Sequence, residues 1–172
     1  MTVLPQPRRP IDPGRRWTPR TYPASPSAVV RLRADLRADL AQVAGTRGEP
    51  TAAVVLCASE MFADTVDHGP PGEGPEEVVC VLSLHHLPEG GRVLRLSMAG
   101  QGVADASARG PCPPPDSGRR GDRSGHWHEG VRGRGLLLID HLAARWGTRR
   151  TASPGGEGGV VWAEFDLSPE RA

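Results

Sequence analysis

Lysine is absent from this chain of 172 residues, and all 21 of its basic residues are arginine. That excludes a lysine nucleophile and the lysine of a phosphate-binding P-loop. The bias fits a GC-rich genome, as in actinobacteria, better than a chemical requirement. Cysteine is scarce and odd in number. Cys57, Cys80 and Cys112 share no metal or redox spacing, which points to a reduced compartment rather than a disulfide framework. An excess of charge is missing too: the formal net charge is +1, too small to steer the chain to nucleic acid or a membrane surface. No apolar run approaches the roughly 20 residues of a membrane helix. Met1–Pro13 carries arginines but no apolar core of a secretory signal. The expectation is a cytoplasmic protein.

What is plentiful is glycine and proline, 22 and 18 residues, so part of the length belongs to loops or tails. Residues 1–15, with Pro5, Pro7, Pro10 and Pro13, read as a disordered arm. Trp17–Tyr22 reads as an edge strand interrupted by Pro19. Ser25-Pro26-Ser27 opens a helix whose apolar stripe is Val29, Leu32, Leu36, Leu40 and Val43, ending near Gly45. A second helix is predicted over 51–67, stopped by His68-Gly69-Pro70-Pro71. Two strands, 78–84 and 93–98, flank Pro88-Glu89-Gly90-Gly91 as a hairpin. Residues 103–130, rich in proline and glycine, read as a lid loop. A third helix over 135–145 and strands over 148–151 and 160–167 complete one domain spanning 16–168, with 169–172 as a tail. Helices and antiparallel strands are segregated, which gives an α+β two-layer sandwich rather than a parallel α/β fold.

Three segments carry candidate chemistry. Glu60 and Asp64 stand four apart and share one face of the second helix; the residues alone fit a solvated acidic face as well as a ligand pair. Met98-Ala99-Gly100-Gln101-Gly102 closes the second hairpin strand. Gly133-Arg134-Gly135-Leu136 opens the third helix, where bare amides at the positive helix end favour phosphate. The same four residues fit a glycine-capped buried helix equally well.

In order and content these segments resemble the Bergerat-fold (GHKL, histidine-kinase-like) ATPases, in particular the small anti-sigma-factor serine/threonine kinases. The stretch Ser59-Glu60-Met61-Phe62-Ala63-Asp64-Thr65-Val66-Asp67-His68-Gly69 is similar to the family's N-box. Ala144-Arg145-Trp146-Gly147 and Val161-Trp162-Ala163-Glu164 add to the likeness, which covers about residues 16–167. The resemblance implies a mixed, mostly antiparallel sheet covered on one face by about three helices. It implies ATP and Mg²⁺ as ligands, Glu60 as the catalytic acid-base residue, and Asp64 as the metal ligand. Met98, Gly100, Gly102, Gly133, Arg134, Gly135 and Leu136 would enclose the nucleotide. Two positions depart from the pattern: Asp64 stands where the family has a metal-binding asparagine, and Met98 where it has the aspartate that reads adenine. A thioether is a poor acceptor.

Other groupings are weaker. His126-Trp127-His128 with Cys112 and Glu129 matches no standard zinc spacing. His85-His86 reads as strand-end surface, His68 as a helix cap, and Arg119, Arg120 and Arg123 as solvated loop residues within reach of a γ-phosphate. Ser59, Ser83 and Ser97 lack a nucleophile-elbow context. Two functions follow. One is an ATP-dependent kinase that binds a sigma factor and phosphorylates an anti-sigma-factor antagonist, possible homodimers included, with no direct contact to nucleic acid or membrane. The other is a degenerate Bergerat domain with little or no ATP binding, acting as a protein-binding regulatory module.

Overall fold

The computed structural model describes residues 12–67, 76–88, 90–100, 133–153 and 156–167. Its elements run β1 (Asp12–Arg16), β2 (Arg20–Pro23), α1 (Ala28–Leu40), α2 (Glu49–Asp67), β3 (Glu77–His86), β4 (Arg92–Gly100), α3 (Gly133–Leu142), β5 (Arg145–Ser153) and β6 (Gly156–Leu167). The sheet order is β1-β3-β4-β6-β5, with β2 also on β3, and every pairing described is antiparallel. This is the expected α+β sandwich.

Residues 12–16, of which 12–15 belong to the expected disordered arm, form a strand; residues 1–11 of that arm lie outside the described residues. β1 and β2 share one edge of β3, β1 beside 83–86 and β2 beside 77–80. Pro19, which has no amide hydrogen to give the ladder, falls in the gap between them. Trp17 lies in that gap too, and its amide still donates to the Leu82 carbonyl at 3.1 Å. Gly14 sits at a bulge with φ +58°, where a Cβ would lie 1.9 Å from the Leu84 carbonyl oxygen. Only glycine fits there, and the bulge is what makes a proline- and glycine-rich segment read as coil.

One sheet face carries the core. Strand alternation points Leu94, Leu96 and Met98 of β4, and Val161, Ala163 and Phe165 of β6, at the helices, and all are buried. α1 covers them with Ala28, Leu32, Leu36 and Leu40, α2 with Val54, Ala58, Met61 and Phe62, and α3 with Ile139. α1 stops at Leu40, five residues before the expected end. The chain turns there because Thr46 Oγ1 donates to the carbonyls of Leu40 and Val43, at 2.6 and 2.8 Å, closing the helix end. Ser27 occupies the N-cap position of α1 but makes no capping hydrogen bond. α3 likewise ends at Leu142 instead of 145, because pairing of Arg145 with Glu164 starts β5.

Charges on α1 are sorted by face. Asp39, 4% exposed, accepts both guanidinium nitrogens of Arg20 on β2. Asp35 accepts from the Tyr22 hydroxyl at 2.9 Å. Burial, and the hydrogen bond to Asp35, push the Tyr22 phenol well above its usual range. The two carboxylates thus bolt α1 to the sheet edge, while Arg37 is exposed.

The opposite sheet face is mixed, with Val93, Ala99, Val160 and Trp162 buried on it beside a polar row. One register row carries Arg16, Ser83, Arg95, Glu164 and Arg145 across β1, β3, β4, β6 and β5. Arg95 donates twice to Glu164 Oε1, and Glu164 is 1% exposed. Trp162 lies over Gly147, where a Cβ would meet its ring at 2.9 Å. His85, expected at a solvated strand end, is half-buried and shares a 2.8 Å hydrogen bond with Ser83, while His86 is exposed. Burial, with Arg95 and Arg16 adding, pushes the His85 imidazole down to about 4.

Two outcomes are expected. Arg20→Ala leaves the Asp39 carboxylate buried without its fork, and urea unfolding should register a loss of about 1–3 kcal/mol, the lower end reflecting the partial exposure of Arg20; an unchanged midpoint would show that the pair does not hold α1. His85 binds a proton more weakly folded than unfolded. Its stability contribution is therefore full above pH 6.5 and lost as pH falls toward about 4. In His85→Gln that part of the pH dependence should vanish in thermal melts between pH 7 and 4.

Candidate functional site

Helix α2 is the central element of the site. It packs on α1 to one side and α3 to the other, with β4 and β6 beneath. Its apolar residues hold it at depth: Cys57, Ala58 and Met61 are fully buried. Of the polar residues on the same turns, Glu60 and Asp64 come out half-buried along the rim. Ser59 is buried and doubly engaged, donating to the Val55 carbonyl and accepting from Arg33 Nε on α1, both at 2.8 Å. This Arg33–Ser59 bond fixes α1 against α2 one residue before Glu60. Nothing in the sequence pattern signals it, because Arg33 lies outside the apolar stripe of its own helix.

Glu60 is half-buried and points at α3. Its Oε2 lies 2.7 Å, and its Cβ 3.5 Å, from the point where Gly135 would carry a Cβ. Gly135 is the third residue of α3, with Leu136 half-buried behind it and Ile139 fully buried one turn on. The acid of α2 and the first turn of α3 are therefore in contact. Asp64 stands one turn further along α2, half-buried on the same side and engaged in an interaction of its own. Gly133 and Arg134 precede Gly135 in the same turn.

Gly100 is the last residue of β4, opposite Val78, and the strand leads from the helix-covered layer toward the segment that returns as α3. Met98, two residues earlier, is 0% exposed. Its cross-strand neighbours are Cys80 and Val161, so it lies in the apolar row under the helices. Gly102, the lid at 103–130, Cys112, and His126–Glu129 lie outside the described residues, as do His68 and the loop that follows it.

Cys57 and Cys80, the described cysteines, are both buried free thiols. Burial, and then the charge of Glu60 one turn away, push the Cys57 thiol up to about 11. Burial also raises Cys80, to about 12. Both remain protonated thiols at neutral pH. Among the described residues no three His, Cys, Asp or Glu side chains gather as a metal site, and no helix is long and apolar enough to cross a membrane.

A magnesium-bound triphosphate meets this site unevenly. At the phosphate end the donor set fits: hard carboxylate oxygens at Glu60 and Asp64, beside a helix N-terminus with glycines in its first turn. Mg²⁺ typically takes one or two carboxylates plus phosphate oxygens, so a closed protein cage is not required. At the base end the fit is poor. Met98 supplies no acceptor for an exocyclic amine, and its neighbours Cys80 and Val161 supply no charge.

No curated protein matches the chain. The family comparison is positive: residues 22–165 match the histidine kinase-like ATPase domain, from β2 to the end of β6. With most of its length matched, and with Glu60 and Gly135 brought together on α2 and α3, the chain belongs to the histidine kinase-like ATPase family.

Proposed function

We propose that the protein is an ATP-binding regulator of the anti-sigma type, which transfers the γ-phosphoryl group of ATP to a serine or threonine hydroxyl of an anti-sigma-factor antagonist. The observation that carries this reading is the contact between Glu60 and Gly135. A proton acceptor stands at the amide end of the helix that would receive the phosphates, and phosphoryl transfer rests on such positioning and electrostatics. The sigma factor and the antagonist rest on resemblance to the family subtype.

Each residue then has a defined task. The first turn of α3 presents amides to phosphate oxygens, with Gly133 and Gly135 keeping that approach open. Asp64 would hold Mg²⁺, whose charge would offset that of the phosphates. Glu60 orients the acceptor hydroxyl and takes its proton. The Arg33–Ser59 bond holds α2 in place as this happens. Met98 supports the second reading, a binding module with little use for ATP. A buried donor left without its acceptor costs about 1–3 kcal/mol, roughly 10- to 100-fold in affinity.

Calorimetry separates the two readings. Mg-ATP should bind with a dissociation constant of about tens of micromolar or weaker, and Mg-GTP within about fivefold of it, since no carboxylate at position 98 selects adenine. Submicromolar, ATP-selective binding would contradict the role given to Met98, and no heat with either nucleotide would favour the binding module. For the kinase reading, Glu60→Gln should lower transfer to the antagonist by about 10²- to 10⁴-fold while ATP affinity changes little. Full activity in that variant would remove Glu60 from the mechanism.

A further inference from the structure

We propose that Gly135 is a positioning residue for Glu60: the space left by its missing side chain seats the Glu60 carboxylate, so α3 as well as α2 decides where the acid points. The catalytic consequence rests on the function proposed above; the steric relation does not.

A glycine inside a helix needs a reason, because alanine is the better helix former at such a position. Backbone conformation does not provide it, since Gly135 is the third residue of α3 and lies outside the left-handed region. Space does. An alanine Cβ at 135 would approach Glu60 Oε2 to 2.7 Å, closer than real Cβ contacts come. The same Cβ would stand 3.5 Å from Glu60 Cβ and 3.6 Å from Cδ, which are ordinary contact distances. The two helices can therefore accept a methyl group between them. The carboxylate tip, in its present position, cannot.

An alanine would be accommodated by turning the end of a flexible side chain, not by parting α2 from α3. Cys57 and Met61, buried on either side of Glu60 along α2, would stay where they are. What changes is the position of one charge. A general base must lie within about 2.6–3.2 Å of the proton it takes, and a displacement of about 1 Å can lower a rate by around 100-fold. Gly135 thus has a function distinct from giving phosphates access to the helix end. The two are separable, because crowding of the phosphates raises KM whereas a misplaced acid lowers kcat.

The test is Gly135→Ala in the full chain, with three readouts. A crystal structure should show the Glu60 carboxylate moved by about 1 Å or more with α2 and α3 unshifted. The melting temperature should hold or rise, by up to about 4 °C, as for a helical glycine replaced by alanine. Phosphoryl transfer should fall about 10- to 100-fold in kcat, in addition to whatever rise in KM for ATP the added methyl group causes at the helix end. A carboxylate that stays in place while the helices separate would overturn the proposal, as would a raised KM with kcat kept. If wild-type protein shows no phosphoryl transfer, the kinase reading fails, and the position of Glu60 in the variant structure still decides the proposal.

Discussion

Helix α2 has to satisfy three surfaces at once, α1, the sheet and α3, and at Gly135 this leaves no room for a side chain beside Glu60. The rest of the site follows from that crowding. Cys57, Ala58 and Met61 lock the helix at depth, Arg33 pins its outer side through Ser59, and Glu60 is pressed onto the first turn of α3. A carboxylate at the positive end of a helix is electrostatically favoured. The arrangement is therefore stable as well as chemically useful, and the acid needs no partner of opposite charge to stay there.

A second constraint acts from below. The helix-covered face of the sheet is closed by aliphatic residues with Met98 among them, and the far face carries a charged row rather than an open surface. Burying Arg95 with Glu164 costs desolvation that their two hydrogen bonds offset in part. Such a row fixes register, because a slip of one residue would carry Glu164 into the apolar layer between Ala163 and Phe165. β4 and β6 are held in alignment by it, and with them the end of β4 at Gly100. Met98, fully buried between Cys80 and Val161, is part of this rigid floor.

Much of this was legible in the sequence, and the reasons for success and failure are physical. The α1 stripe and the alternation in β4 are strong periodic signals, because each reports one apolar face. β1 was hidden because its glycine and proline content reads as coil; the left-handed Gly14 that makes the bulge possible looks like a loop residue in one dimension. The ends of α1 and α3 were misplaced by tertiary competition, from the Thr46 turn in one case and the Arg145–Glu164 pairing in the other. Glu60, Gly100 and Gly135 could be named from motif resemblance. Their relation could not: that glycine at 135 makes room for a carboxylate 75 positions earlier is a fact of helix packing. The half-burial of His85 was likewise beyond a local reading, since Arg16 and Arg95 reach it from other strands.

In the function proposed above, α2 and the first turn of α3 form one phosphate-facing site. Amide chemical-shift mapping on ¹⁵N-labelled protein titrated with Mg-ATP is the decisive experiment. The largest perturbations should fall together on Gly135 and Leu136 and on Glu60 through Asp64, with the far-face residues Ser83 and Glu164 unmoved. Perturbations confined to other surfaces, with the amides of α3 silent at saturation, would contradict it.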